Sequence, residues 1–332
     1  MEKIHGAKIV VIGGGTGSFG VLSGIKNYAT DITALVSMAD DGGSTGQLRD
    51  ELGVLPPGDV RQCLVALSHS PRARDLFNYR FDNGAFEGHA FGNLFLAALE
   101  KMTGSLVKAI DLADEILNVE GKVVPITLDQ VTICLDHGGK ETLRHERNIE
   151  GVKFKKLRPK LWLEPKPKVN EFAIQAIMAA DVVIIPPGNL YRSIGPALIV
   201  PGIGEALQKS TAKKIYVVNS VNKPGQTDNF AVHDYTAEIE RLAGGEFLDY
   251  VIYNVHQPPK KLLEKYAAAG ELPVEINAAA LKQAHYKTKG ANLWANEIWQ
   301  NPNKKDPIAS ERTLIRYDSD MVARNIMKIY FS

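Results

Sequence analysis

Lys8 to Ile12 (KIVVI) is a β-branched run too short for a helix, and it ends in the glycine-dense stretch GGGTGSFG. An uninterrupted apolar run of this length reads as a buried parallel strand, because such a strand is covered on both faces and keeps no polar alternation. From Ser18 to Tyr28 the residues Phe19, Leu22 and Ile25 fall on one helical face, and Ile32 to Met38 (ITALVSM) reads as a second strand. Strand, glycine loop, helix and second strand in that order form a parallel unit with a right-handed crossover, the opening of a Rossmann-like fold. The rest of the chain must then supply more strands to a mostly parallel sheet and helices to both of its faces.

It does so after a long interruption. Val60 to Leu67, Ala73 to Asn78, His89 to Met102 and Leu106 to Leu117 read as helices. VVPIT and VTICL read as strands, and HGGKETLRHERNIEG as a polar hairpin, so Val123 to Glu164 reads as a β-rich insertion or second sheet. The lysine-rich stretch Lys153 to Lys168, with Phe154, Leu157 and Trp162 interleaved, reads as an edge strand with lysines on its wet face. The strand–loop–helix rhythm then returns. DVVIIPPGNLYRS precedes a helix at Leu198 to Gln208, and KKIYVVNSVNKPGQTDNF precedes one at Val232 to Leu242. LDYVIYNVHQPP precedes one at Lys260 to Ala269, and TLIRYDSD reads as a last strand before a C-terminal helix. The expectation is an α/β, doubly wound, mostly parallel sheet with an inserted helical and β-hairpin subdomain. One domain spans 1–332, with an N-terminal part at 7–122, the insertion at 123–168 and the remainder of the core at 169–332.

Composition removes several function classes. With 332 residues and 45% hydrophobic content the chain can bury one large core. A net charge of +1 gives no field to gather nucleic acid or an anionic membrane. The two cysteines, Cys63 and Cys134, form no CxxC pattern and suggest neither a disulfide scaffold nor a zinc site. MEKIHGAKIVVIGGG runs straight into a strand without a signal-type apolar region, and no apolar stretch approaches the roughly 20 residues that span a bilayer. The expectation is a soluble cytoplasmic protein whose oligomeric state, including a homo-oligomer, stays open.

In open parallel sheets, ligands bind beyond the carboxyl ends of the strands. The polar and glycine-rich segments fall there: GGGTGSFG, ADDGGSTG, PPGNLYRS and NSVNKPGQTDN each follow an apolar run. The amides of Gly13, Gly14, Gly15, Thr16 and Gly17, at a helix start, suit phosphate oxygens; a tight turn that needs glycine is the plainer alternative. Gly43 and Ser44 form a second glycine nest, beside the acid pair Asp40 and Asp41. Two carboxylates near phosphate-binding amides suit a magnesium ion that keeps several waters, although solvated or capping aspartates would look the same. Arg49 and Arg61 offer forked donors for phosphate or carboxylate, while Asp59 reads as an N-cap for the helix from Val60. His89 and Asn93, four apart, read as a polar pair on an otherwise apolar helix face, either contacting a ligand or satisfied in the core. Asn189, Tyr191, Ser193, the Gly188 amide and Asn219 are candidates for a base or ribose. HExxH, GxxxxGK[ST] and a Ser-His-Asp order are missing from the sequence, leaving zinc-protease, P-loop and hydrolase readings unsupported.

Taken together, IGGGTGSFGVLSGIK, MADDGGSTGQLRDELGVLPPGDVRQCLVALS, NYRF, GHAFGNLFLAAL, PPGNLYRSIGP and IRYD resemble, in order and over nearly the whole chain, the YvcK family of gluconeogenesis factors within the CofD-like superfamily. Departures are local: NSVNKPGQTD stands where the family has Asn-x-Met-Thr-Gln-Pro-Gly-Glu-Thr, and Lys282 to Pro307, with Trp294 and Trp299, reads as an insertion. The resemblance implies a cytoplasmic bacterial factor in carbon metabolism and cell shape that binds UDP-sugars such as UDP-N-acetylglucosamine, with NAD-like dinucleotides able to occupy the same crevice. It implies a regulatory protein partner, and it adds Tyr266 and Arg316 as contacts to the sugar nucleotide. The related transferase branch moves a phospholactyl group with magnesium and an aspartate of the loop holding Asp40 and Asp41. PPGNLYRS departs from that branch's Ser-Asn-Pro signature. Three readings result: a nucleotide-sugar-binding regulator, a phospholactyl-type transferase, and an NAD-dependent oxidoreductase for which His89 would be the proton relay.

Overall fold

The computed structural model describes residues 3–257, 260–295 and 317–332. Among the described residues ten strands form, in chain order: β1 (Ile4–Ile12), β2 (Ala29–Val36), β3 (Lys122–Pro125), β4 (Thr132–Asp136), β5 (Leu143–Arg144), β6 (Lys160–Glu164), β7 (Val182–Ile185), β8 (Lys213–Val217), β9 (Tyr250–Asn254) and β10 (Lys287–Ala291). Seven of them make one sheet in the order β10-β9-β8-β7-β1-β2-β3, and every pairing in it is parallel. β5, β4 and β6 make a separate antiparallel sheet.

The apolar runs are continuous because alternate residues feed two cores. Val10, Ile12, Val183 and Ile185 pack on one face with the helices Glu171–Ala179, Ile203–Lys209 and Val232–Ala243. Ile9, Val11, Val182 and Ile184 pack on the other with Gly15–Ile25, Pro57–Leu67 and Ser319–Tyr330. Side chains of a strand alternate between faces, so a strand buried on both sides shows no polar period. From β1 the chain winds toward β2 and β3 in one direction; from β7 it winds toward β10 in the other. The strand order therefore reverses between β1 and β7, where the carboxyl ends splay and leave a crevice.

Several expectations shift. VVPIT does not join the small sheet: Val123 and Val124 pair with Ala34 and Leu35 at the edge of the main one. Within the lysine-rich run only Lys160–Glu164 is a strand; Leu157 is exposed and Phe154 packs against Tyr191. The expected insertion at Lys282 to Pro307 includes β10, which pairs with β9 and extends the core sheet, and its part beyond residue 295, with Trp299, lies outside the described residues. The strand expected in TLIRYDSD falls largely on residues outside the description; Tyr317 forms only an isolated bridge to Trp294. The second glycine nest opens a ten-residue helix, Gly43–Leu52, where a loop was expected. After β7 a π-helical turn (Leu190–Ile194) runs into Gly195–Leu198 before the helix Ile203–Lys209, so the expected Leu198–Gln208 helix is split by a short loop. Among the described residues no helix is long and apolar enough to cross a membrane.

Candidate functional site

A cleft of about 1860 Å³ opens at the reversal of strand order. Four loops line it, as the sequence pattern predicts: Gly14, Gly15, Thr16 and Gly17 after β1, Asp40, Gly43 and Ser44 after β2, Gly188, Asn189 and Ser193 after β7, and Asn219 after β8. Asn93 reaches it from the helix Phe91–Thr103. Gly13, Asp41, Arg49, His89, Tyr191 and Tyr266 do not line it, and Arg316 lies outside the described residues.

Steric contact explains the first glycine loop. A Cβ on Gly17 would stand 1.6 Å from the Pro187 carbonyl oxygen, so glycine is what lets the β1 and β7 loops meet. A Cβ on Gly14 would stand 1.7 Å from Oδ2 of Asp59. Asp59 is not the cap of its own helix, whose N-cap is Pro56; it sits in the first turn and reaches across to accept the Gly15 amide at 2.8 Å. The Gly15 amide, one of those expected for phosphate, is thus already satisfied by a carboxylate. Burial, reinforced by Asp40, pushes the Asp59 carboxyl up to about 7, against the pull of the Gly15 amide and Arg61.

At the second nest the helix Gly43–Leu52 starts at Gly42 without a side-chain cap, so its N-terminus and dipole face the cleft. Ser44 Oγ lies 2.9 Å from Nδ1 of His89 and accepts a 3.4 Å bond from Asn93 Nδ2. Arg61 in turn donates from Nε to Asn93 Oδ1 at 2.8 Å and from Nη1 to Asn78 Oδ1 at 2.5 Å. His89 precedes the helix and so shares no helical face with Asn93, but both side chains contact Ser44; Ser44 and Asn93 line the cleft and His89 does not.

The acid pair divides. Asp41 turns inward, 2% exposed, accepting from His145 Nδ1 at 2.5 Å and the Glu146 amide at 2.7 Å, with Arg49 Nη1 at 3.5 Å. Arg49 donates from Nε and Nη2 to Asp50 in its own helix. Through His145 and the Glu146 amide, Asp41 pins the turn after β5 to the loop after β2, a structural task. Asp40 instead accepts the Gly42 amide at 2.9 Å and faces Asp59 and Glu146, whose carboxyls are raised by burial first and by Asp40 second. Gly58 permits this approach, since a Cβ there would stand 2.4 Å from Thr45 Oγ1 and 2.7 Å from Asp40 Oδ2. Among the described residues no three His, Cys, Asp or Glu side chains close on one point as a metal cage would. Two hard carboxylates at the cleft floor still fit magnesium, which takes one or two protein carboxylates and completes its shell with water and phosphate. The residues that would hold it are Asp40 and Asp59.

On the opposite loops, most of the candidate readers have internal work. Asn189 caps the Tyr191 and Arg192 amides at 3.0 Å each. Asn219 accepts the Gly188 amide at 3.0 Å and donates to its carbonyl at 2.8 Å, clasping the β7 and β8 loops together. Tyr191 is a core residue against Phe154. Tyr266 is buried against Val221 and Trp294. Two cleft residues are absent from the sequence candidates: Arg192, between Tyr191 and Ser193 in the loop PPGNLYRS, and Glu146, inside what read as a polar hairpin. Arg192 donates from Nε and Nη2 to Glu146 Oε1 at 3.0 and 2.9 Å, and from Nη1 to Glu150 Oε1 at 2.6 Å.

A doubly wound parallel sheet, a cleft at its switch point and a small antiparallel insert define a Rossmann-like α/β protein. The chain belongs to the CofD family: the family model described as 2-phospho-L-lactate transferase CofD matches residues 9–294. It falls among relatives that carry the name gluconeogenesis factor. A putative gluconeogenesis factor of Clostridium acetobutylicum is 42% identical over 98% of this chain and 70% of its own length. The gluconeogenesis factor of Bacillus subtilis is 39% identical over 83% of this chain and 87% of its own. A crystal structure of an upf0052-family protein from Bacillus halodurans superposes with a TM-score of 0.86 at 34% identity, covering 98% of this chain and 99% of that one.

Proposed function

We propose that the cleft binds a nucleotide sugar of the UDP-N-acetylglucosamine type and that the protein is a cytoplasmic regulatory factor, its occupancy read by a protein partner during growth on gluconeogenic carbon and in cell-shape control. The observation that carries this reading is that two glycine-initiated helices open on one cleft at the switch point, and the helix at Gly43 has no side chain capping it. A diphosphate seated there gains backbone donors and a favourable dipole. Magnesium, held by Asp40 and Asp59, would neutralise part of the phosphate charge. The cleft volume leaves room for base, ribose and sugar beyond the phosphates. The names of the relatives support the gluconeogenic role.

A second reading, a magnesium-dependent transferase of the phospholactyl type, is favoured by the family description and by the Asp40–Asp59 pair. Calorimetric titration of UDP-N-acetylglucosamine with magnesium, followed by chromatography of the mixture, separates the two. Micromolar binding, about 8 kcal/mol, with the ligand recovered intact supports the regulator. Breakdown or group transfer supports the enzyme, and no binding at all removes the nucleotide-sugar reading.

A further inference from the structure

Arg61, Arg80, Arg147 and Arg192 line the cleft. The contacts of Arg192 are ionic on every side. Its Nε, Nη1 and Nη2 are all held by carboxylates, and both of these come from the turn between β5 and β6. A guanidinium edge whose Nε and Nη2 converge on one carboxylate oxygen can receive a phosphate oxygen in the same place.

The turn that supplies the carboxylates is under tension. His145, which leads into it, has φ 73 and ψ 141, a region that non-glycine residues rarely occupy, and it is held there by Asp41. Glu146 itself is crowded. Its carboxylate lies beside that of Asp40: a Cβ on Gly42 would stand 3.4 Å from Asp40 Oδ1 and 4.0 Å from Glu146 Oε2. A carboxylate placed among like charges is a displaceable partner for an arginine.

We infer that Arg192 is the anion-binding residue of the cleft, and that Glu146 and Glu150 are built-in competitors that hold it until a diphosphate takes their place. The identity of the ligand rests on the nucleotide-sugar reading above; the role of the residue rests on the contacts. When the exchange occurs, the turn at 145–151 loses its tie to the β7 loop while Asp41 keeps its other end. Occupancy of the cleft is thereby transmitted to the surface of the small sheet.

The test titrates inorganic pyrophosphate and UDP-N-acetylglucosamine into the wild-type protein, the Glu146→Gln/Glu150→Gln double variant, Arg192→Gln and Arg192→Lys. Hydrogen exchange of residues 143–152 is followed with and without each ligand. The double variant is expected to bind pyrophosphate roughly tenfold tighter than wild type, as removal of a competing internal ligand requires. Arg192→Gln is expected to bind at least roughly tenfold weaker. Arg192→Lys, which keeps the charge and loses the fork, falls between and controls for folding. Ligand should speed exchange of 143–152 in the wild type and add nothing in the double variant. Unchanged or weaker pyrophosphate binding by a double variant that melts like the wild type overturns the proposal, as does wild-type affinity in Arg192→Gln. If the wild type binds neither ligand, removal of the competitors must reveal pyrophosphate binding, and failure to do so overturns it as well. Pyrophosphate binding that follows this order while the nucleotide sugar does not bind would refute the ligand assignment and leave the role of Arg192 supported.

Discussion

Replacing Asp59 with asparagine keeps an acceptor for the Gly15 amide and removes a buried charge from beside Asp40. In the folded protein the Asp59 carboxyl is raised from 3.8 to about 7, chiefly by burial. Between those values the folded chain holds a proton that the unfolded chain has released. The stabilisation from that proton is complete below about pH 4 and is lost as pH rises through about 7; above that, ionised Asp59 is a net cost of folding. At ~1.36 kcal/mol per pH unit the whole interval corresponds to about 4 kcal/mol. Asp59 shares its titration with neighbouring carboxylates, so a single substitution should recover about half, ~2 kcal/mol. Urea unfolding at pH 5 and pH 8 measures it: Asp59→Asn should be the more stable protein at pH 8 and lose most of that advantage at pH 5. A variant no more stable than wild type at pH 8, or a difference that ignores pH, would refute the assignment of Asp59 as a strained internal occupant of the glycine loop.

Three further outcomes follow from the contacts. Gly17→Ala places a methyl group against the backbone oxygen of Pro187, which no rotamer change relieves, and should cost about 3 kcal/mol in thermal or urea unfolding while loosening the cleft. Asp41→Ala leaves the buried Arg49 short of a counter-charge and the Glu146 amide without its acceptor, so about 3 kcal/mol of stability should disappear; a loss under 1 kcal/mol would show that the pin carries little. Asp40→Asn should weaken diphosphate binding in calorimetry only when magnesium is present, and equal loss with and without the metal would argue against the Asp40–Asp59 metal role.

What could be read from sequence was what depends on neighbours along the chain. Apolar runs such as KIVVI and DVVII announced the parallel strands, since a strand buried on both faces has no polar alternation. The glycine loops announced where those strands end, and so located the cleft. Pairings across long separations were invisible. Asp40 and Asp41 look equivalent as neighbours, yet one faces Asp59 and the other is bound by His145, 104 positions away. Asn219 and Tyr191 look like ligand readers in polar loops, but the first clasps Gly188 and the second fills the core. Arg192 and Glu146 lie 46 positions apart, and only the fold of the inserted turn brings them together. β10 is not legible because KTKGA carries no apolar run; as an edge strand it is only partly covered, with Lys287 exposed and Lys289 half-buried.

The most direct measurement is a crystal structure of the protein soaked with UDP-N-acetylglucosamine and magnesium. The diphosphate is expected between the amide-rich start of the helix at Gly43 and the guanidinium of Arg192, with Asp40 and Asp59 as the residues that would hold the metal. A nucleotide bound away from the Gly43 helix, or a cleft that stays empty at millimolar ligand, would contradict the nucleotide-sugar site.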